Sequence, residues 1–101
     1  MSLLKFHPEA LAEYESSVEY YESVQVGLGA RFIGSVEAAL DSILESPTTW
    51  PFLNSDIRRR LTRVFPYAVL YSIESDHVLI VAIMHCHQNP GYWQSRVAGA
   101  S

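Results

Sequence analysis

The chain predicts an α+β domain with the order β-α-α-β-β-β, and three observations carry that expectation. Val78 to Met84 is an unbroken apolar run rich in β-branched residues, without Gly or Pro, which reads as a strand covered on both faces. Tyr67 to Ile73 is a second such strand, and Glu74-Ser75-Asp76 between them is polar and short enough to make the pair a hairpin. Residues 9 to 45 instead repeat apolar side chains at helical spacing, which predicts a helical hairpin packed on one face of a mostly antiparallel four-stranded sheet.

In chain order, Leu3 to His7 is a short apolar strand that ends at Pro8, a residue tolerated in the first turn of a helix. From Glu9 the stripe Leu11, Tyr14, Val18, Tyr21 predicts an amphipathic helix, with Glu9, Glu13, Glu15, Glu19 and Glu22 mostly off it. Ser23 to Gly27 breaks that helix, and a second pattern buries Leu28, Phe32, Val36, Ala39, Leu40 and Ile43 before Ser46-Pro47 stops it. So short a link makes the two helices antiparallel. Residues 47 to 56 form a loop held to the core by Trp50, Phe52 and Leu53, with Trp50 a packing residue.

Ile57 to Phe65 is the next strand. Its alternation puts Ile57, Arg59, Leu61, Arg63 and Phe65 on one face and Arg58, Arg60, Thr62 and Val64 on the other. Arginines on both faces cannot lie at the centre of a covered sheet, so this strand belongs at an edge. After the last strand Asn89-Pro90-Gly91 turns the chain into a short closing segment, Tyr92 to Val97, followed by a frayed tail, Ala98 to Ser101.

At 101 residues, 49% apolar and 18% charged, the chain has the length and composition of one domain spanning residues 1 to 101, able to bury a core without disulfides or metal. Cys86 is the one cysteine, so no internal disulfide forms, and its place at the end of an apolar strand reads as a core thiol. There is no signal-peptide core and no apolar run near the roughly 18 residues of a membrane span, so the cytoplasm is the expected compartment.

The net charge of −4 is unevenly spread: residues 9 to 45 hold eight acids against Arg31, while residues 46 to 101 hold five arginines against Asp56, Glu74 and Asp76. Such a two-sided molecule offers one face to an anionic partner, and a solvated acidic helix face beside an arginine edge strand has the same pattern. His85 and His87 share a His-x-His spacing, but no third ligand accompanies them, so neither metal nor cofactor is expected. Gly27-Leu28-Gly29 follows a helix and is too short for a nucleotide loop.

The element order, the proline after the second helix, the arginine strand running into Phe65-Pro66-Tyr67, the strand ending in His85, and Pro90-Gly91-Tyr92-Trp93 with Arg96 beyond it together resemble the RelE/ParE superfamily, over roughly residues 3 to 96. These are toxins of bacterial type II toxin–antitoxin (plasmid stabilisation) systems. The resemblance implies a cognate antitoxin as partner, or a homodimer hiding the same surface when the antitoxin is absent. It also implies one of two targets: messenger RNA cleaved on the ribosome by RelE-like members, or DNA gyrase, poisoned by ParE-like members without nuclease activity.

For a metal-free endoribonuclease the resemblance puts His85 at a strand-end position where some RelE-like members carry histidine. Arg63 would then stabilise phosphate charge and Tyr92 would act as acid or stacking group. The plain structural alternative for His85 is a cap at the end of the sheet. Arg58, Arg59, Arg60, His87, Trp93 and Arg96 are the residues expected to bind the target. Related chains commonly carry an arginine where this one has Gln88-Asn89, and this chain has one lysine and an acidic total. Both departures thin the cations that a ribonuclease needs, so the expectation is a ParE-like toxin. The alternatives are a RelE-like nuclease and a non-toxic member acting as an interaction module.

Overall fold

A computed structural model describes residues 3–54 and 56–97. The elements are β1 (Leu3–Phe6), α1 (Pro8–Val24), α2 (Leu28–Glu45), β2 (Arg58–Leu61), β3 (Tyr67–Ile73), β4 (His77–His85) and a closing 3-10 turn at Gln94–Arg96. The strands form one sheet in the order β1-β4-β3-β2, with β1 parallel to β4 and the other pairs antiparallel. This is the predicted α+β order, with the arginine strand at an edge and the apolar strand inside. The tail expected at Ala98 to Ser101 lies outside the described residues.

Local chemistry explains the helix ends. His7 caps α1, its Nδ1 accepting from the Glu9 amide at 3.1 Å, and Pro8 occupies the first turn. α1 runs through Ser23 and Val24 rather than breaking at Ser23, because the Ser23 hydroxyl donates to the Tyr20 carbonyl at 2.6 Å without leaving the helical path. α1 ends at Val24 with an extended Gln25 as its C-cap, and the link enters α2 through Gly27, with φ +90°. α2 has no cap of its own; the Glu22 carboxylate of α1 accepts from the amides of Gly27 and Gly29 at 3.0 Å each, placing a negative charge at the positive end of α2.

Two clusters sandwich the sheet. On the helix side Ala10, Phe32, Val36, Ala39, Leu40 and Ile43 pack on Phe65, Tyr67, Val69, Tyr71, Val78, Ile80 and Ile83. Tyr21 sits among Phe32, Phe65 and Tyr67, with ring centroids 4.9 to 6.1 Å apart, and burial pushes its hydroxyl up to about pKa 12. On the other side Ile57, Ala68, Leu70, Val81, Ala82, Met84 and Trp93 form a smaller core. The stripe expected on α1 is rotated: Ala10 is fully buried and Leu11 is 42% exposed, since the close approach of α1 to the sheet admits the smaller residue.

Two irregularities correct the alternation expected from sequence. The strand expected over 57–65 stops at Leu61. Thr62 donates its hydroxyl to the Phe65 carbonyl at 2.9 Å, Val64 takes φ +75°, and Phe65 lands on the helix side, opposite to Ile57. In β4, Leu70 faces Ala82 and Tyr71 faces Ile80, so Val81 is an extra, bulged residue. Val81 and Ala82 therefore both point away from the helices, and Ile83 joins Val78 and Ile80 toward them.

Phe52 does not pin the 47–56 loop as expected; it is 57% exposed under the Arg58 guanidinium. Trp50 does, packing on the helix-side core and donating its ring N–H to the Ser42 carbonyl at 3.2 Å. Cys86 is exposed rather than a core thiol, because β4 ends at His85 and the Cys86 amide turns to the Pro66 carbonyl at 2.8 Å.

The helix hairpin closes most tightly at Gly29, where an added Cβ would stand 2.9 Å from the Val18 carbonyl oxygen; at Gly34 it would meet nothing within 4 Å. The two glycines thus set propensity against packing in one helix. Gly29→Ala is expected to lower stability in urea unfolding by about 1–2 kcal/mol, overpacking outweighing propensity. Gly34→Ala is expected to raise it by up to ~1 kcal/mol.

Candidate functional site

β1 accompanies β4 only as far as Ile80, whose carbonyl accepts from His7 N at 2.9 Å. Past that point β4 continues to His85, and its outer edge is completed by side chains. Glu13 Oε1 accepts from the Ile83 amide at 3.1 Å, Arg96 Nη1 donates to the Val81 carbonyl at 3.1 Å, and Arg96 Nη2 meets Glu13 Oε2 at 2.7 Å. The Arg96 side chain is 7% exposed and that of Glu13 is 21% exposed, so this is a largely buried pair, with Glu9 at 3.8 Å outside it. The hydrogen bond to Glu13 holds the Arg96 guanidinium above its ordinary pKa.

The expected target-binding residues divide on this count. Arg58 donates to the carbonyls of Thr48 and Trp50 at 3.0 and 2.7 Å and lies over the Phe52 ring. Arg60 lies 3.8 Å from the centre of the Trp50 ring and donates to the Ser42 hydroxyl. Trp93 is 2% exposed in the smaller core, and Arg96 is bound to Glu13. Arg59 and His87 are exposed.

The three residues expected of a nuclease do not share a face. His85 packs edge-on against Tyr67 of the helix-side core at 5.1 Å, whereas Tyr92 packs on the opposite cluster. His85 Nδ1 accepts from the His87 amide at 3.1 Å, a local contact at the end of the sheet. Burial, with Glu13 adding to it, pushes the Tyr92 hydroxyl well above the usual tyrosine range, and the Arg96 guanidinium lies 4.9 Å from the centre of its ring. Arg63 is exposed on the 62–66 loop. Among the described residues no three His, Cys, Asp or Glu side chains gather as a metal site, and no helix is long and apolar enough to cross a membrane.

Glu13 is the residue that sequence reasoning placed on the surface. The signal for it was Arg96 in a segment of Tyr, Trp and Val, since a guanidinium among apolar side chains requires a carboxylate, and Glu13 stands on the Ala10–Tyr14 side of α1. Arg96→Ala is expected to lower stability by about 3 kcal/mol in denaturant titration, because it leaves the largely buried Glu13 carboxylate without its cation and the Val81 carbonyl without its donor.

With this geometry in place, the chain can be set beside known proteins. A family model described as "ParE toxin of type II toxin-antitoxin system, parDE" matches residues 4–90. The fold is similar to a solved structure titled "Chromosomal ParDE TA system from P. aeruginosa", with a TM-score of 0.74 over 84% of this chain and 96% of that one at 12% identity. No curated protein sequence matches significantly. The match over residues 4–90 shows that the chain belongs to the ParE toxin family of type II toxin–antitoxin systems, within the RelE/ParE superfamily.

Proposed function

We propose that the chain arrests growth by binding DNA gyrase, without nuclease activity, and is neutralised by a cognate antitoxin. The observation that carries this reading is the internal commitment of three of the six arginines. A metal-free nuclease stabilises its phosphorane with guanidinium groups aimed at the substrate, and here Arg58, Arg60 and Arg96 are bound to carbonyls, a hydroxyl, aromatic rings and Glu13. The separation of His85 from Tyr92 by the sheet points the same way. Arg59 and His87 are the exposed members of the expected target-binding set and would carry the contact with gyrase.

The antitoxin has a seat in the groove of about 540 Å³ across the helical hairpin, lined by Leu11, Tyr14, Val18 and Ile33 with Glu15 and Glu19 at its rim. An apolar groove with an acidic rim suits an amphipathic helix carrying Lys or Arg beside its apolar face. The β2 edge is a poor seat for an added strand, because Pro51 accepts from the Arg59 amide and Phe52 bridges Arg58.

Purified protein is expected to inhibit supercoiling by gyrase, and induction in cells is expected to stop growth with translated messenger RNA intact, in the wild type and in His85→Ala alike. Codon-positioned cleavage of messenger that His85→Ala abolishes would replace this reading with a RelE-like nuclease. Normal growth with unaffected gyrase would leave the fold as an interaction module.

A further inference from the structure

The strained loop between β2 and β3 meets α2 in a concavity of about 220 Å³, lined by Arg31, Ser35 and Ala38 of the helix and Arg63, Val64 and Phe65 of the loop. Of the six arginines in the chain, Arg58, Arg60 and Arg96 are held internally. Arg31, Arg59 and Arg63 are exposed and have no carboxylate within salt-bridge distance among the described residues, and two of these three line this one concavity. Arg31 is the single base in the acidic stretch from residue 9 to 45, and it lines the same concavity as Arg63 of the loop.

Val64 is the second observation. A β-branched residue avoids positive φ, yet Val64 holds φ +75° and is 84% exposed. The loop is fastened around it: the Ser35 hydroxyl donates to the Arg63 carbonyl, Thr62 Oγ1 donates to the carbonyls of Phe65 and Tyr67 at 2.9 and 3.2 Å, and the Tyr67 amide donates to the Phe65 carbonyl at 2.8 Å. The result is an apolar side chain displayed in solvent at a concavity that two arginines also line.

We infer that this concavity is a recognition site for a segment of a partner protein in which an Asp or Glu stands beside an aliphatic or aromatic residue. The two guanidinium groups match the carboxylate, and Val64 with Ala38 and the edge of Phe65 match its apolar neighbour. A nucleic-acid backbone is the poorer fit, since it needs a run of cations and gains nothing from Val64, and α2 continues from this place into Asp41 and Glu45. The site lies away from the groove of Leu11, Tyr14, Val18 and Ile33, and it is independent of whether the chain inhibits growth.

The test is selection from a random peptide library displayed on phage, followed by fluorescence anisotropy with the enriched peptides. Enriched sequences are expected to carry Asp or Glu next to an apolar residue, and to bind at least about tenfold more weakly to Arg31→Glu/Arg63→Glu and to Val64→Asp, with Lys5→Glu unchanged. Both arginines are exposed, so the double variant is expected to keep the wild-type thermal midpoint; if it does not, Arg31→Gln/Arg63→Gln takes its place. Peptides of other composition, acidic peptides whose binding survives the double variant, or no enrichment would each overturn the inference. So would a labelled single-stranded oligonucleotide that displaces the peptides, which would assign the pair to phosphate instead.

Discussion

The outer edge of β4 is the constraint on which the rest of the structure turns. β4 carries the core, pairing with β3 along its length, but β1 covers its other edge only from His77 to Ile80. The backbone groups beyond are inside the molecule and must be satisfied. A longer β1 would have done so and would have displaced α1 from the sheet. Instead the chain turns into α1 at Pro8, and that helix lowers Glu13 onto the Ile83 amide while Arg96 reaches the Val81 carbonyl from the closing segment. One carboxylate and one guanidinium thus stand in for a strand and tie together α1, β4 and the end of the chain.

The bulge at Val81 follows from the same place. It turns the Val81 side chain into the smaller core beside Ala82 and so reverses the inside-outside order for the remainder of the strand. His85 consequently comes to lie against Tyr67 on the helix side. Functional readings of the chain depend on this half-turn. A histidine on the other face would have stood on the side of Tyr92, one of the two residues that the resemblance to a nuclease grouped with it. With the bulge, the closing segment becomes a structural clamp, and the solvent-facing arginines that remain are Arg31, Arg59 and Arg63.

Much of this fold was legible in the residues. The limits of β3, the run at the heart of β4, the buried positions of α2 and the edge placement of the arginine strand all follow from period and charge, because each is decided by burial of whole side chains. What period cannot reveal is where the backbone leaves its repeat. Nothing in Val81 or Val64 marks them as a bulge and a positive-φ residue, since both types belong in regular strands. Leu11 and Ala10 were exchanged for a related reason: helix spacing defines a stripe, while its rotation is set by how closely the helix approaches the sheet. The same holds for the candidate site. The arginines were conspicuous in sequence, but their partners Ser42, Trp50, Thr48 and Glu13 are distant in the chain, so which guanidinium groups face solvent was decided by tertiary contacts alone.

If Glu13 and Arg96 complete the sheet edge, the Ile83 amide must behave as a ladder amide although no strand lies beside it. Hydrogen exchange at that amide tests this most directly. In the wild type it is expected to exchange as slowly as the neighbouring amides of β4, and in Glu13→Ala it is expected to lose that protection while the amides of β3 keep theirs. Fast exchange at Ile83 in the wild type, or protection unchanged in Glu13→Ala, would contradict the account.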